Sequence, residues 1–300
     1  MLRSFPLLPA LVWLLLGWHP ASAQPDENCA ATESNLAWWR EIASNADEPR
    51  INADALAYDL LPCLGSENPE LRDSIGYGLY TYWLRNDLLS IETKGFLTAQ
   101  LSENLVSDES LLRSFSALIL SELLRADALD AFMADNQRAT LLRQAAEALL
   151  DEADFRGLDS ELGWIHPVAH LGDVLWRMAL HPALGSEQAE LILASVGMKA
   201  RTTVAAYQFN EGDRLARVIA ILLQRDLIVE EQWLAWLEEF ESRSNDEEWS
   251  TAFTSVEGMV ELHNTKLFLR ALDGQLAGAQ YPAAVASKLQ EILTMMNAMV

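Results

Sequence analysis

Three of the chain's five histidines, His166, His170 and His181, fall within one short stretch. His166, His170 and Asp173 stand at i, i+4 and i+7, and Arg177 continues the row. A helix through this stretch puts all four on one face. Two imidazoles one turn apart beside a carboxylate can ligate a divalent metal, with His166, His170 and Asp173 as the ligands. They can equally form an acid/base pair tuned by an acidic neighbour such as Asp154. The same residues admit a structural reading. In it, His166 ends a loop before Pro167 with its ring bonded to backbone, His170 pins the loop through a carboxylate, and Trp164 is a core anchor.

Val168, Leu171, Leu175 and Met178 form an apolar stripe roughly opposite this row, so the polar face is expected to look onto solvent or a cleft. Ahead of it runs Asp154 to His166, longer than the usual connection between helices. It carries Phe155, Arg156, Trp164 and two glycines, a composition that suits an ordered loop rather than a disordered one. Asp154, Arg156 and Trp164 are therefore candidate ligand contacts alongside the histidines.

The elements that must position these residues read as helices almost throughout. Apolar residues recur at helical spacing in Leu215, Val218, Ile219, Leu222 and Leu223, and in Trp233, Trp236, Leu237 and Phe240. Asn68-Pro69-Glu70, Ser107-Asp108-Glu109 and Ser186-Glu187 are start signals, and His181-Pro182 with Gly185 is a stop. No run of alternating β-branched residues stands out. The spacing predicts helices from near residues 32, 50, 70, 91, 111, 138, 168, 186, 212, 230, 249 and 282. Taken in pairs, their starts recur at intervals of roughly 40–50 residues, the period of HEAT- or armadillo-like repeats. The fold class is all-α: antiparallel helix pairs in a helical repeat, or an irregular α/α bundle with the same pairwise packing. In such packing the helix start near 212 lies beside the end of the loop, which adds Asp213 and Arg214 to the candidate site.

Two blocks of this region carry a family resemblance. Asp154-Phe155-Arg156-Gly157, followed by Gly163-Trp164-Ile165-His166-Pro167-Val168-Ala169-His170-Leu171-Gly172-Asp173, resembles the signature stretch of domain-of-unknown-function family 2785. Asp213-Arg214-Leu215 and Arg113-Ser114-Phe115-Ser116-Ala117 look like further blocks of it. The resemblance covers roughly residues 50–270. It implies a helical-repeat-like domain and a shared site built from this loop and helix, and it implies no reaction.

The N-terminus reads as a secretory signal over residues 1–23. Arg3 stands before the apolar run Leu7–Gly17, and Ala21-Ser22-Ala23 supplies the small residues for cleavage near Ala23. Residues 24–300 then form a single domain, exported to a periplasmic or extracellular space, with no membrane span in the mature chain. In an oxidising compartment the only two cysteines, Cys29 and Cys63, are expected to pair. Twenty-one basic residues face 44 acidic ones, a net charge of −23, which disfavours nucleic acid and anionic lipid as partners. Gly76-Tyr77-Gly78 lacks the third glycine of a dinucleotide loop, and no Walker A, HExxH or GxSxG occurs. These features point first to a binding protein with a ligand groove near His166 and His170. The alternative is a metal-assisted or acid/base hydrolase using the same residues.

Overall fold

The computed structural model describes residues 29–299; the expected signal, residues 1–23, lies outside them. Helix starts follow the side chains available to cap them. Thr32 and Asn52 accept the N–H groups of Asn35 and Ala55 at 3.3 and 3.1 Å, opening α1 (Glu33–Ser44) and α2 (Ala53–Leu60). After a 3-10 turn at Leu61–Gly65, Asn68 Oδ1 takes the N–H groups of Glu70 and Leu71. Glu70–Tyr77 then winds in wide π turns, the Gly78 N–H reaching back to the Asp73 carbonyl, before α3 (Gly78–Arg85) resumes α geometry.

The series continues with α4 (Ile91–Asn104), α5 (Ser110–Leu129), α6 (Asp135–Asp151), α7 (Pro167–Leu180), α8 (Ser186–Ala200), α9 (Glu211–Leu223), α10 (Glu230–Glu238), α11 (Val256–Leu276) and α12 (Ala283–Ala298). These starts fall within a few residues of the expected ones, except at 249. There Trp249–Thr254 is a separate 3-10 turn. Ser255 breaks the run with extended backbone and caps α11, its hydroxyl 3.0 Å from the Gly258 N–H.

The chain is all-α, and its helices stack in two layers. α5, α7, α9 and α11 lie side by side, each against the next, while α4, α6 and α8 back α5, α7 and α9. At the far end α10 and α12 pack together. This is the nearest-neighbour stacking of a helix-pair repeat. A small sequence repeat accompanies it. Gln137, Gln188 and Gln232 each stand at the third position of an outer helix and accept the N–H at its N-cap, from Ala134, Gly185 and Val229.

Between the layers the core is leucine-rich, with Trp39, Trp83, Trp249, Phe240 and Phe268 fully enclosed. Each such side chain contributes about 1.5–3 kcal/mol by leaving water. Cys29 and Cys63 are disulfide-bonded, tying the start of α1 to the turn after α2. Among the described residues no helix is long and apolar enough to cross a membrane.

Candidate functional site

The segment joining α6 to α7 is an ordered loop, as its composition suggests, and its order is polar in origin. It folds back as a minimal ribbon, β1 (Leu158–Asp159) antiparallel to β2 (Gly163–Trp164). Asp159 Oδ1 closes the turn by accepting the Glu161 and Leu162 N–H groups. Gly163 has φ +71°, and a Cβ there would meet Pro69 at 3.0 Å, so both backbone and space call for glycine.

Buried cations hold the loop down from outside it. Arg72, with no exposed surface, donates to the carbonyls of Leu162 and Trp164 at 2.6 and 3.1 Å, to the Ser66 carbonyl, and to Asp73 Oδ1. Arg113 grips the buried Glu152 carboxylate at 2.8 and 2.9 Å, and Lys199 donates to the Glu152 carbonyl at 2.6 Å. Ser114 donates to the Ile165 carbonyl at 2.5 Å.

This anchoring fixes the two histidines. His166, which precedes Pro167, adopts left-handed backbone (φ 49°) rather than the extended backbone that a following proline favours, and its ring lies against Trp164. Its Nε2–H donates to the Phe209 carbonyl at 2.8 Å, with the buried Glu211 carboxylate 3.8 Å away. His170 sits one turn on. Its Nδ1 is 2.8 Å from Ser114 Oγ and 3.2 Å from the Ser114 carbonyl. The Ser114 proton is committed to Ile165, so Nδ1 must carry the proton in this contact, and Nε2 keeps a lone pair. Burial, together with His166 and Arg214 nearby, lowers the His170 pKa to about 3. Burial also lowers His166, partly opposed by Glu211. Both imidazoles are neutral at neutral pH.

Around the Nε2 edge of His170 opens a cavity of about 480 Å³. Its aromatic walls are Tyr77, Phe115, Trp164 and Phe209, and its polar groups are Asp73, His166, Gln208, Asn210 and Arg214. Burial raises the Asp73 carboxyl, against the pull of Arg72. Gly157 shapes the wall from behind: a Cβ there would fall 2.1 Å from the Phe209 ring.

Of the residues singled out in the sequence, Trp164, His166, His170 and Arg214 meet at this cavity. Asp173 lies beneath it, buried, and its carboxylate is spanned by Arg214 at 2.8 and 2.9 Å and by Arg217. Asp154 and Arg156 pair with each other on the far side of the loop. Burial would raise Asp154, but Arg156 and Ser110 outweigh it and bring the carboxyl down to about 2. Asp213 is exposed and outside the cavity lining.

Two expectations of the structural reading do not hold. Trp164 is 46% exposed at the rim and is no core anchor. His170 pins the loop through Ser114 rather than through a carboxylate. In this arrangement the Asp173 carboxylate is engaged by the Arg214 and Arg217 guanidiniums, while each imidazole bonds protein through one ring nitrogen. Among the described residues no group of three or more His, Cys, Asp or Glu is placed to hold a metal ion. His181, the third histidine of the stretch, is structural: its Nε2 is 3.1 Å from Asp127.

Asp73, Tyr77, Phe209, Asn210 and Glu211 were not singled out. Asn210 had a weak signal as the residue before an acidic first turn, and Phe115 lay in a block already resembling the family.

A family model described as a protein of unknown function (DUF2785) matches residues 98–273. The chain belongs to this family. The match takes in α5, the loop, α7 and α9, and so most of the cavity wall, while the Asp73 and Tyr77 side of the cavity precedes it. The resemblance expected over roughly residues 50–270 is matched over 98–273, a span that takes in every quoted block. No curated protein and no solved structure gives a match, so DUF2785 membership supplies no reaction.

The neutral histidines give this chain a pH signature. Below the free imidazole value of about 6.5 the unfolded chain takes up protons that the folded chain refuses. Stability from His170 is therefore fully present above about pH 6.5 and falls as pH drops toward 3. His166 and His181, both lowered chiefly by burial, act in the same direction. Urea midpoints should fall between about pH 7.5 and 5.5, and His170→Gln should flatten that slope. A midpoint that rises on acidification in this window contradicts buried neutral imidazoles.

Proposed function

We propose that this chain is an exported helical-repeat protein that binds a small polar ligand in the cavity at His166 and His170. One observation carries the reading: His170 Nε2, a hydrogen-bond acceptor with its Nδ1 fixed by Ser114, opens on a cavity that five separate elements line with aromatic and polar groups. A largely preformed concavity with a few convergent polar groups is the usual form of a small-molecule site. The Cys29–Cys63 bond supports an oxidising compartment, and so a leader at residues 1–23 removed near Ala23 and a periplasmic or secreted domain over 24–300.

The acid/base alternative uses the same cavity, where Asp73 and His170 are the available pair. An imidazole held at about 3 is a weak proton acceptor at neutral pH, since an efficient base has its pKa near the working pH. It remains a good hydrogen-bond acceptor, which favours binding over hydrolysis.

Trp164 offers the cleanest test, because its exposed ring can be removed with little loss of packing. Screening small polar ring compounds by thermal shift should yield ligands that stabilise the wild type and lose at least tenfold in affinity with Trp164→Ala. Ligands indifferent to both Trp164→Ala and His170→Gln would remove the cavity from the account.

A further inference from the structure

Below the cavity the inner helices carry a second feature. On α7 the row His166, His170, Asp173 and Arg177 runs away from the cavity for roughly 16 Å at 1.5 Å per residue. α9 contributes Asn210, Arg214 and Arg217 at matching spacing, and α5 contributes Leu118, Glu122 and Arg125. These rows lie side by side because α5, α7 and α9 are neighbours in one layer.

Their charges are linked. Arg85 and Arg177 share the buried Glu122 carboxylate, at 2.8 and 3.3 Å. Arg214 and Arg217 share Asp173. Trp176 lies between the two groups, with the Arg217 and Arg177 guanidiniums 3.9 and 4.3 Å from its ring. Arg125 adds its field to Glu122 and Arg177.

Five guanidiniums thus stand over two carboxylates, in a chain whose net charge is −23. An acidic protein gains nothing in solubility from crowding its scarce cations. The crowding is also costly in itself: burial first, then the neighbouring arginines, lower both Arg177 and Arg217. The Nε groups of both are buried and have no hydrogen-bond partner. Yet the side chains of Arg85, Arg214 and Arg217 remain 47%, 40% and 32% exposed, so their outer edges are open to a ligand.

We propose that this arginine row is an oxyanion-binding site, taking the carboxylate or phosphate groups of a multiply charged ligand whose ring end lies in the adjoining cavity. Guanidinium forks match planar carboxylate and tetrahedral phosphate through paired N–H donors. Arg214 belongs to both features, lining the cavity and sharing Asp173 with Arg217, so the two adjoin at this residue. The inference extends the cavity reading only in assigning the ligand's ring end; the anion site stands on the arginines alone.

Citrate and pyrophosphate are the probes, titrated calorimetrically into the full mature chain at fixed ionic strength, with chloride as control. Either probe should bind and raise the melting temperature, citrate the more strongly for a carboxylated ligand and pyrophosphate for a phosphorylated one. The double variant Arg177→Met/Arg217→Met should bind at least tenfold more weakly while melting no lower than wild type, since it removes crowded charge. Arg85→Gln, at the exposed end, is the second variant should the double one fail to fold, with an expected loss of about threefold. Trp164→Ala should leave probe binding intact, so that failure of the cavity reading is told apart from failure of this one. Absence of binding by both probes, or binding unchanged in the arginine variants, overturns the proposal.

Discussion

Replacing Arg72 by Met should destabilise the protein by about 3–5 kcal/mol, the range for breaking a buried charge network. The guanidinium has no exposed surface and serves four acceptors: Asp73 Oδ1 and the carbonyls of Ser66, Leu162 and Trp164. Methionine fills the volume and leaves those oxygens without their donor, each such loss costing roughly 1–3 kcal/mol where water cannot enter. The cation also lies over the Phe115 ring at 4.6 Å, an attraction that methionine, being uncharged, does not restore. Because two of the four acceptors belong to the loop, the variant should also open the 158–164 ribbon to protease before the helices melt. Arg72→Lys keeps the charge but lacks the fork, and should fall between the two. Urea denaturation with limited proteolysis checks this; a variant within about 1 kcal/mol of wild type, its loop still protected, would show that the loop is held by other means.

Reducing the Cys29–Cys63 bond has a comparable expected effect by a different route. The bond closes a separation of 34 residues, and on the chain-entropy account its loss frees the unfolded chain by about 3.5–4 kcal/mol. The double variant Cys29→Ser/Cys63→Ser should show the same loss without reductant, and reductant should then have no further effect. Cys63 is fully buried, so the single Cys63→Ser change adds a buried hydroxyl and should be the worse of the two single variants. A denaturation midpoint unchanged by reductant in the wild type would mean that α1 is held to the fold by packing alone.

The helices were legible in the sequence because their signals are local. Asn68, Ser107 and Ser186 each act within three residues of the helix they start, and the apolar stripes need no partner to be recognised. The long loop was legible for the same reason, since its length and composition lie in one segment. What escaped depends on partners far along the chain. Arg72 reads as any surface arginine until the loop carbonyls, 90 residues away, are laid over it. Asp73 and Tyr77 line the cavity from a segment that winds in wide turns, where an ordinary helical count does not assign the faces. The partners of His170 and Asp173, Ser114 and Arg214, come from other helices, and spacing along one helix carries no information about them. The structural reading of Trp164 as a core anchor followed the habit of its residue type, whereas the ribbon holds it at the rim, where the ligand-contact reading had it.

The most direct test of the site is the protonation state of His170, read by nitrogen-15 NMR of the imidazoles across about pH 4 to 8, the range that brackets the free-imidazole value. The account predicts one histidine that stays neutral throughout, with the proton on Nδ1 and a bare Nε2 whose resonance moves when a cavity ligand is added. That resonance should be absent from the spectrum of His170→Gln. A His170 ring that titrates near 6.5, or that carries its proton on Nε2, would contradict the acceptor on which the proposed binding site is built.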